Sequence, residues 1–220
     1  MNLGLQCYIF AQYYTSHQLN IQTLIFDLGG VIIDLHEQAT IEAFVTLTGQ
    51  SPENVIGHYQ NSSLFKKHEK GLITDAQFRD GIRKLMNVTS TDQQIDDAWN
   101  SMLMAIPIER LHFLNKLRKK YHVLILSNTN SIHENAFTKI LQDVSGKPSI
   151  HYYADQVFYS HEIHMRKPDQ EIYQFVIDDS KIDPKTTLFL DDKKENLLGA
   201  KSVGIQTKHI TRPNQIFEIE

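Results

Sequence analysis

Leu24-Ile25-Phe26-Asp27-Leu28-Gly29-Gly30-Val31-Ile32 is the stretch on which the fold turns. It is an apolar run that breaks at a carboxylate and two glycines, then resumes as Val31-Ile32-Ile33. A short run rich in Leu, Ile and Phe and bounded by Gly reads as a strand covered on both faces. That is the pattern of a parallel sheet packed between helices. Asp27 then sits where the strand gives out, and ligands of open α/β sheets bind at the carboxyl ends of their strands. A carboxylate there, beside glycines that let a ligand approach the backbone, is a candidate nucleophile. Taken alone it reads more readily as a capping or turn Asp before a Gly-Gly loop; the remainder of the chain overturns that reading in favour of chemistry.

Downstream, 41–104 changes character. Apolar residues recur at helical spacing, as in Phe44-Leu47 and Phe78-Ile82-Leu85, with Ser51-Pro52 and Lys70-Gly71 as punctuation. Ser51-Pro52-Glu53-Asn54 and Thr74-Asp75-Ala76-Gln77 look like helix starts, the second with capping-box spacing. No strand is expected here, and the region reads as a small helical insert. From Ile108 strand and helix alternate. A helix over 108–120 leads to a strand at His122–Leu126 that ends in Ser127-Asn128-Thr129-Asn130. A helix reaching about Gln142 is followed by a strand over 156–160. Pro168 fits the first residue of a helix running to about Asp178. Thr187–Leu190 is a strand ending at Asp191-Asp192, Asn196–Val203 a helix, and Gly204 opens a last strand. This alternation implies right-handed βαβ units, hence an α/β fold with a Rossmann-like doubly wound parallel sheet.

The 220 residues suffice for one large domain or a core with an insert. The expected division is an N-terminal extension over 1–20, a core domain made of 21–36 and 107–220, and a helical cap domain over 37–106. A formal net charge of -4 gives no electrostatic ground for nucleic acid or an anionic membrane as partner. The basic run Arg118-Lys119-Lys120 falls where a helix should end, and there it complements the helix dipole. A single cysteine, Cys7, excludes an internal disulfide and suits a reducing, cytoplasmic setting. Leu3 to Tyr14 is moderately apolar, yet no Lys or Arg precedes Lys66. That is neither a secretory signal nor a mitochondrial presequence, and it is too short to span a bilayer. It reads as an extra segment ahead of the first strand.

Parallel strands bring their carboxyl ends to one edge, so Asp27, Ser127-Asn128 and Asp191-Asp192 should converge, with Met165-Arg166-Lys167-Pro168 nearby. Three aspartates in one cleft repel, and burying them unpaired is costly. A hard divalent cation and a lysine would balance them. Mg²⁺, which favours one or two carboxylates, waters and a phosphate oxygen, suits this set. His161 and His164 lie three apart without a third ligand at metal-site spacing and are read as non-metal.

These residues together resemble the haloacid dehalogenase-like (HAD) hydrolase superfamily over 23–210. Four motifs stand in order: Phe26-Asp27-Leu28-Gly29-Gly30-Val31, Leu126-Ser127-Asn128-Thr129, Arg166-Lys167-Pro168, and Leu190-Asp191-Asp192 through Asn196. With Phe65-Lys66-Lys67-His68-Glu69-Lys70-Gly71, Leu126–Asn130 and Met165–Pro168, the chain is similar to a bacterial α-D-glucose-1-phosphate phosphatase branch, whose small cap corresponds to the helical insert.

The resemblance implies a Mg²⁺-dependent phosphatase acting on a small phosphorylated metabolite such as a sugar phosphate. Asp27 would attack phosphorus and form an aspartyl-phosphate. Ser127 and the Asn128 backbone N–H would hold the phosphoryl oxygens, and Lys167 would neutralise them. Asp27, Asp192 and the Gly29 carbonyl would bind Mg²⁺, with Asp191 as ligand or neighbour, while Asn196 orients the loop. The family's phosphatases usually carry a second aspartate two residues after the nucleophile, to protonate the leaving group; here Gly29 stands in that place. Asp34, His68 and Glu69 are candidates to replace it. Asp34 reads more readily as a capping or hinge residue, and His68 and Glu69 divide evenly between solvated surface and substrate contact. Two rivals remain: a 2-haloacid dehalogenase, which adjacent Asp191-Asp192 would obstruct, and a non-catalytic binding or scaffolding domain.

Overall fold

The computed structural model describes residues 21–219. Residues 1–20, read above as an extension, lie outside the described residues. Five parallel strands form one sheet in the order β3-β2-β1-β4-β5. They are β1 (Thr23–Phe26), β2 (His122–Ser127), β3 (Gln156–Tyr159), β4 (Thr187–Asp191) and β5 (Gln206–His209). From central β1 the chain steps outward to β2 and β3, then returns to the other side for β4 and β5. The reversal between β1 and β4 is the switch point at which such sheets leave a crevice.

The period of two along β1 accounts for the layers. Leu24 and Phe26 face one side, with Val123 and Ile125 of β2, and pack on Leu111, Leu114, Phe137 and Leu141. These come from α6 (Ile108–Leu117) and α7 (Ser131–Ser145). Ile25 faces the other side with Leu124, Leu126 and Phe189, against Ile172, Tyr173, Val176 and Ala200 of α9 (Gln170–Ser180) and α10 (Lys194–Ser202). Every β1 residue is buried. Truncating such a side chain to Ala costs about 2–5 kcal/mol.

Between β1 and α6 stand α1 (Glu37–Thr48), α2 (Pro52–Asn61), α3 (Leu64–Glu69), α4 (Asp75–Met86) and α5 (Asp92–Asn100). They have a core of their own, centred on Phe44, Phe65, Phe78, Ile82, Ile95 and Trp99. Ser51 caps α2 with Pro52 in its first turn, and Thr74 with Gln77 closes a capping box on α4. A second capping box, Thr91 with Gln94, starts α5. Where the chain leaves and re-enters the sheet, the two connections are tied by main-chain bonds. Asp34 N donates to Ala105 O (3.0 Å), Met104 N to Asp34 O (2.9 Å) and His36 N to Met102 O (2.9 Å).

Two expectations are corrected. Pro168 is not the first residue of α9, because Asp169 occupies the N-cap and the helix starts at Gln170. Asn128 grips the Lys167 peptide from both sides and holds this loop out of the helix; the Lys167–Pro168 peptide is cis. Asp34 caps no helix, since His36 is the N-cap of α1. Its carboxylate instead accepts a 2.7 Å bond from Arg110 Nη1, beside the tied connections. Arg118 caps the end of α6 and pairs with Asp155 at 2.9 Å, a tertiary partner beyond the dipole expected for it. No described helix is long and apolar enough to cross a membrane.

Candidate active site

The carboxyl edge of the sheet gathers the reactive residues. Asp27 follows β1 directly, Ser127 ends β2, Asp191 ends β4, and Lys167 lies on the loop between α8 (Ser160–Ile163) and α9. Asp27, Ser127 and Lys167 line one cavity of about 300 Å³ with Gly29, Glu69, Arg166 and Asn196, while Asp191 is buried beneath it. Lys167, 1% exposed, is its electrostatic centre. Its Nζ lies 2.8 Å from Asp27 Oδ1 and 2.7 Å from Asp191 Oδ2. Asp27 Oδ1 also accepts the N–H of Leu28 at 2.7 Å. Asp27 Oδ2 has no hydrogen-bond partner among the described residues. One oxygen is therefore fixed and the other left for chemistry.

Asp191 and Asp192, adjacent in sequence, have different environments. Asp191 is fully buried and satisfied: beyond Lys167 it accepts Asn196 Nδ2 at 3.0 Å on both oxygens and the Lys193 N–H at 2.7 Å. Burial alone would push its pKa up, but Lys167 and these donors hold it below the ordinary carboxylate value. Asp192 Oδ1 is buried without a partner. Burial and then the Asp191 charge raise its pKa. Asp27 is pushed up to about 8, chiefly by burial, against the Lys167 charge that lowers it. The Lys167 pKa is raised: desolvation opposes its charge, but the two aspartates outweigh it.

Asp27, Asp191 and Asp192 place carboxylate oxygens within 4.8 Å of one another. Three carboxylates surround the Lys167 ammonium, with Lys193, itself paired to Glu37, adding positive charge near Asp192; Asp192 Oδ1 is orphaned, and the Gly29 carbonyl accepts no hydrogen bond from the described residues. This all-oxygen donor set fits a hard divalent cation. Gly30 explains how the loop comes so near: its φ is +74°, and a Cβ there would sit 2.6 Å from Asp192 Oδ2.

Ser127 is buried at the cavity, and its hydroxyl makes no hydrogen bond to the described residues. Asn128 has a second duty that sequence reasoning missed. Its side chain accepts from Lys167 N and donates to Lys167 O, each at 2.8 Å, and so aims the lysine. Gly29 has been replaced in space: a Cβ added there would meet Leu35 Cδ1 at 2.7 Å.

His68 does not reach the cavity. It is 2% exposed, lies 2.9 Å from Asp75 and stacks on Phe78 with ring centroids 4.1 Å apart. Burial lowers its pKa. Glu69 does line the cavity, where Arg166 Nε donates to it at 3.0 Å. Lys193 and Glu37 form a similar pair at 2.9 Å, again joining sheet loop to helical insert. Sequence reasoning also missed Tyr59, Trp99 and His133, which line the same cavity. His133 has both ring nitrogens engaged, by Asn130 and by the Trp99 carbonyl. Burial takes its pKa down to about 4, so it is neutral and no proton donor at neutral pH. His161 lies beside Glu134 and Glu162, while His164 turns away to the Lys70 carbonyl at 2.9 Å.

Residues 21–204 match the family model described as haloacid dehalogenase-like hydrolase. The chain is 30% identical to D-ribitol-5-phosphate phosphatase of Bacteroides thetaiotaomicron, over 85% of this chain and 90% of that one. A crystal structure of a HAD family enzyme from the same organism, a magnesium complex, superposes with a TM-score of 0.79 at 41% identity, covering 87% of this chain and 93% of the other. A further structure of that enzyme, with magnesium and inorganic phosphate, gives 0.77 at 41% identity, covering 86% and 93%. The chain belongs to the haloacid dehalogenase-like hydrolases.

Proposed function

We propose that the protein is a Mg²⁺-dependent phosphomonoesterase acting on a small phosphorylated metabolite of the sugar or polyol phosphate kind. The observation that carries this reading is the Asp27–Lys167–Asp191 chain of contacts, with the partnerless Asp192 oxygen beside it. It supplies a positioned carboxylate nucleophile, a buried ammonium, and room for a cation in one crevice. The full-length phosphatase relative supports the substrate class.

In this reading Asp27 Oδ2 attacks phosphorus, the ester oxygen departs, and an aspartyl-phosphate forms that water later hydrolyses at phosphorus. Lys167 holds Asp27 Oδ1 and neutralises charge on the phosphoryl oxygens, while Ser127 and the Asn128 N–H bind the non-bridging oxygens. Asp191 keeps Lys167 charged and in place, and Asn128 aims it. Asp27, Asp192 and the Gly29 carbonyl would hold Mg²⁺, which when bound lowers the repulsion between nucleophile and phosphate. Asp191 is already fully bonded and serves beside the metal rather than on it. Residues 37–106 act as the cap over the core made of 21–36 and 107–220.

Gly29 provides no proton for the leaving oxygen, work commonly worth 10²–10⁴-fold. Asp34 is paired with Arg110 and is absent from the cavity lining. A leaving group that departs readily, such as an anomeric oxygen, asks least of the missing acid. A screen of phosphorylated metabolites with Mg²⁺ tests the function, with Asp27→Asn as control. Phosphate release by wild type that Asp27→Asn abolishes supports it. Release that Asp27→Asn leaves intact, or none from any ester, sinks it.

A further inference from the structure

We propose that Glu69, Arg166 and Tyr59 form a subsite for hydroxyl groups on the organic part of the substrate. It would select phosphate monoesters of polyols or sugars over those of plain alcohols. The proposal rests on the phosphatase reading above and deepens it.

All three residues line the cavity that holds Asp27. Arg166 and Lys167 both line that cavity, so a group that meets the guanidinium there shares it with the phosphoryl position. The Arg166–Glu69 pair is made through a single bond, Nε to Oε2 at 3.0 Å. Among the described residues neither the two Arg166 Nη groups nor Glu69 Oε1 has a hydrogen-bond partner. A pair serving only to clamp insert to sheet would be expected to use both prongs of the fork, which is the stronger geometry. Docking is moreover supplied independently: Ser160 Oγ donates to the Glu69 carbonyl at 2.6 Å, and His164 Nδ1 lies 2.9 Å from the Lys70 carbonyl. Gly71 (φ +60°) lies so close to the His161 carbonyl that a Cβ there would collide with it.

The Tyr59 ring rests on Phe65, with centroids 4.8 Å apart. Its hydroxyl feels Glu69, Glu37, Lys193 and Arg166 and makes no hydrogen bond to the described residues. Donors and acceptors without a partner among the described residues thus line the cavity that holds Asp27, Tyr59 being half-exposed. A polyol, with a donor and acceptor on each carbon, satisfies them; an alkyl chain leaves charged groups desolvated and unpaired. Trp99, Met102 and Leu103 line the same cavity and offer an apolar wall that favours the opposite ligand.

The test is the ratio of kcat/KM for D-ribitol 5-phosphate to that for n-pentyl phosphate, with Mg²⁺, in wild type, Glu69→Gln, Arg166→Gln and Tyr59→Phe. Wild type should favour the polyol ester. The ratio should fall about tenfold or more in Glu69→Gln and Arg166→Gln, as expected for hydrogen bonds to charged groups. Tyr59→Phe removes no bond among the described residues and should lower the ratio less, without affecting folding. A ratio unchanged in all three variants, with both esters slowed alike, makes the pair a clamp and overturns the subsite. A wild-type preference for the pentyl ester overturns it too and assigns the organic group to the apolar wall. Failure of wild type to hydrolyse either ester or p-nitrophenyl phosphate would instead remove the phosphatase reading itself.

Discussion

Replacing Lys167 by methionine keeps most of the buried stem and deletes the charge that Asp27 and Asp191 share. At 2.8 and 2.7 Å, each contact carries a gross attraction of about 6 kcal/mol at an effective dielectric near 20. Desolvating the ammonium offsets much of that, and breaking a buried ion pair typically costs about 3–5 kcal/mol net. Lys167→Met should therefore lose about 3–5 kcal/mol at pH 8 in the presence of a chelator. The loss depends on pH in a definite sense. Asp27 titrates in the folded wild type at about 8 against an ordinary value of 3.8. A carboxyl with a raised folded pKa contributes stability that is present at low pH and lost as pH rises from about 4 through about 8. Removing the ammonium lifts that folded pKa further, so protonation rescues the variant more at pH 5 than at pH 8. Asp191, held below its ordinary value by Lys167, acts the opposite way, its contribution vanishing as pH falls below about 4. Urea denaturation with EDTA at the two pH values measures the difference. A deficit under about 1 kcal/mol at pH 8, or one equal at both pH values, refutes the electrostatic role given to Lys167.

Mg²⁺ affinity should rise as pH climbs from 6 to 8, because the cation displaces the proton that Asp27 retains in its absence. Calorimetry in two buffers of different ionisation enthalpy would report proton release at pH 7, and a pH-independent affinity would contradict it. Gly29→Asp should speed hydrolysis of unactivated alkyl phosphates more than that of aryl or anomeric phosphates, by tenfold or more where the new carboxyl reaches the leaving oxygen. Because Leu35 Cδ1 occupies that space, the variant should lose about 1–3 kcal/mol of stability, recovered in part by adding Leu35→Ala. Equal rate effects on all esters would refute the reasoning. Turnover of a 2-haloacid that survives EDTA would favour a dehalogenase-type reaction, whose aspartate attacks carbon without a metal.

The sheet was legible because β1, β2 and β4 are short apolar runs ended by polar residues, and that length, with those flanks, reads as a strand covered on both faces. Asp27, Ser127 and Asp191-Asp192 followed from parallel topology alone. What stayed hidden was set by tertiary partners far along the chain. Asn128 holds Lys167 across 39 positions, so no local rule shows that Pro168 belongs to a loop. Glu69 meets Arg166 across 97. His68 looks like a surface histidine until Asp75 and Phe78 enclose it. Asp191 and Asp192 cannot be told apart in a string of letters; Asn196 and the Lys193 N–H separate them, by satisfying one and leaving the other. Lys193 and Glu195 both line the cleft, and no local pattern marks either for it.

The most direct measurement is to mix wild-type protein with p-nitrophenyl phosphate and Mg²⁺, quench in acid within one turnover, and map the modified peptide by mass spectrometry. One phosphoryl group on Asp27, missing from Asp27→Asn, is the predicted result. Turnover with no adduct, or with the phosphoryl group on another residue, would contradict Asp27 as the nucleophile.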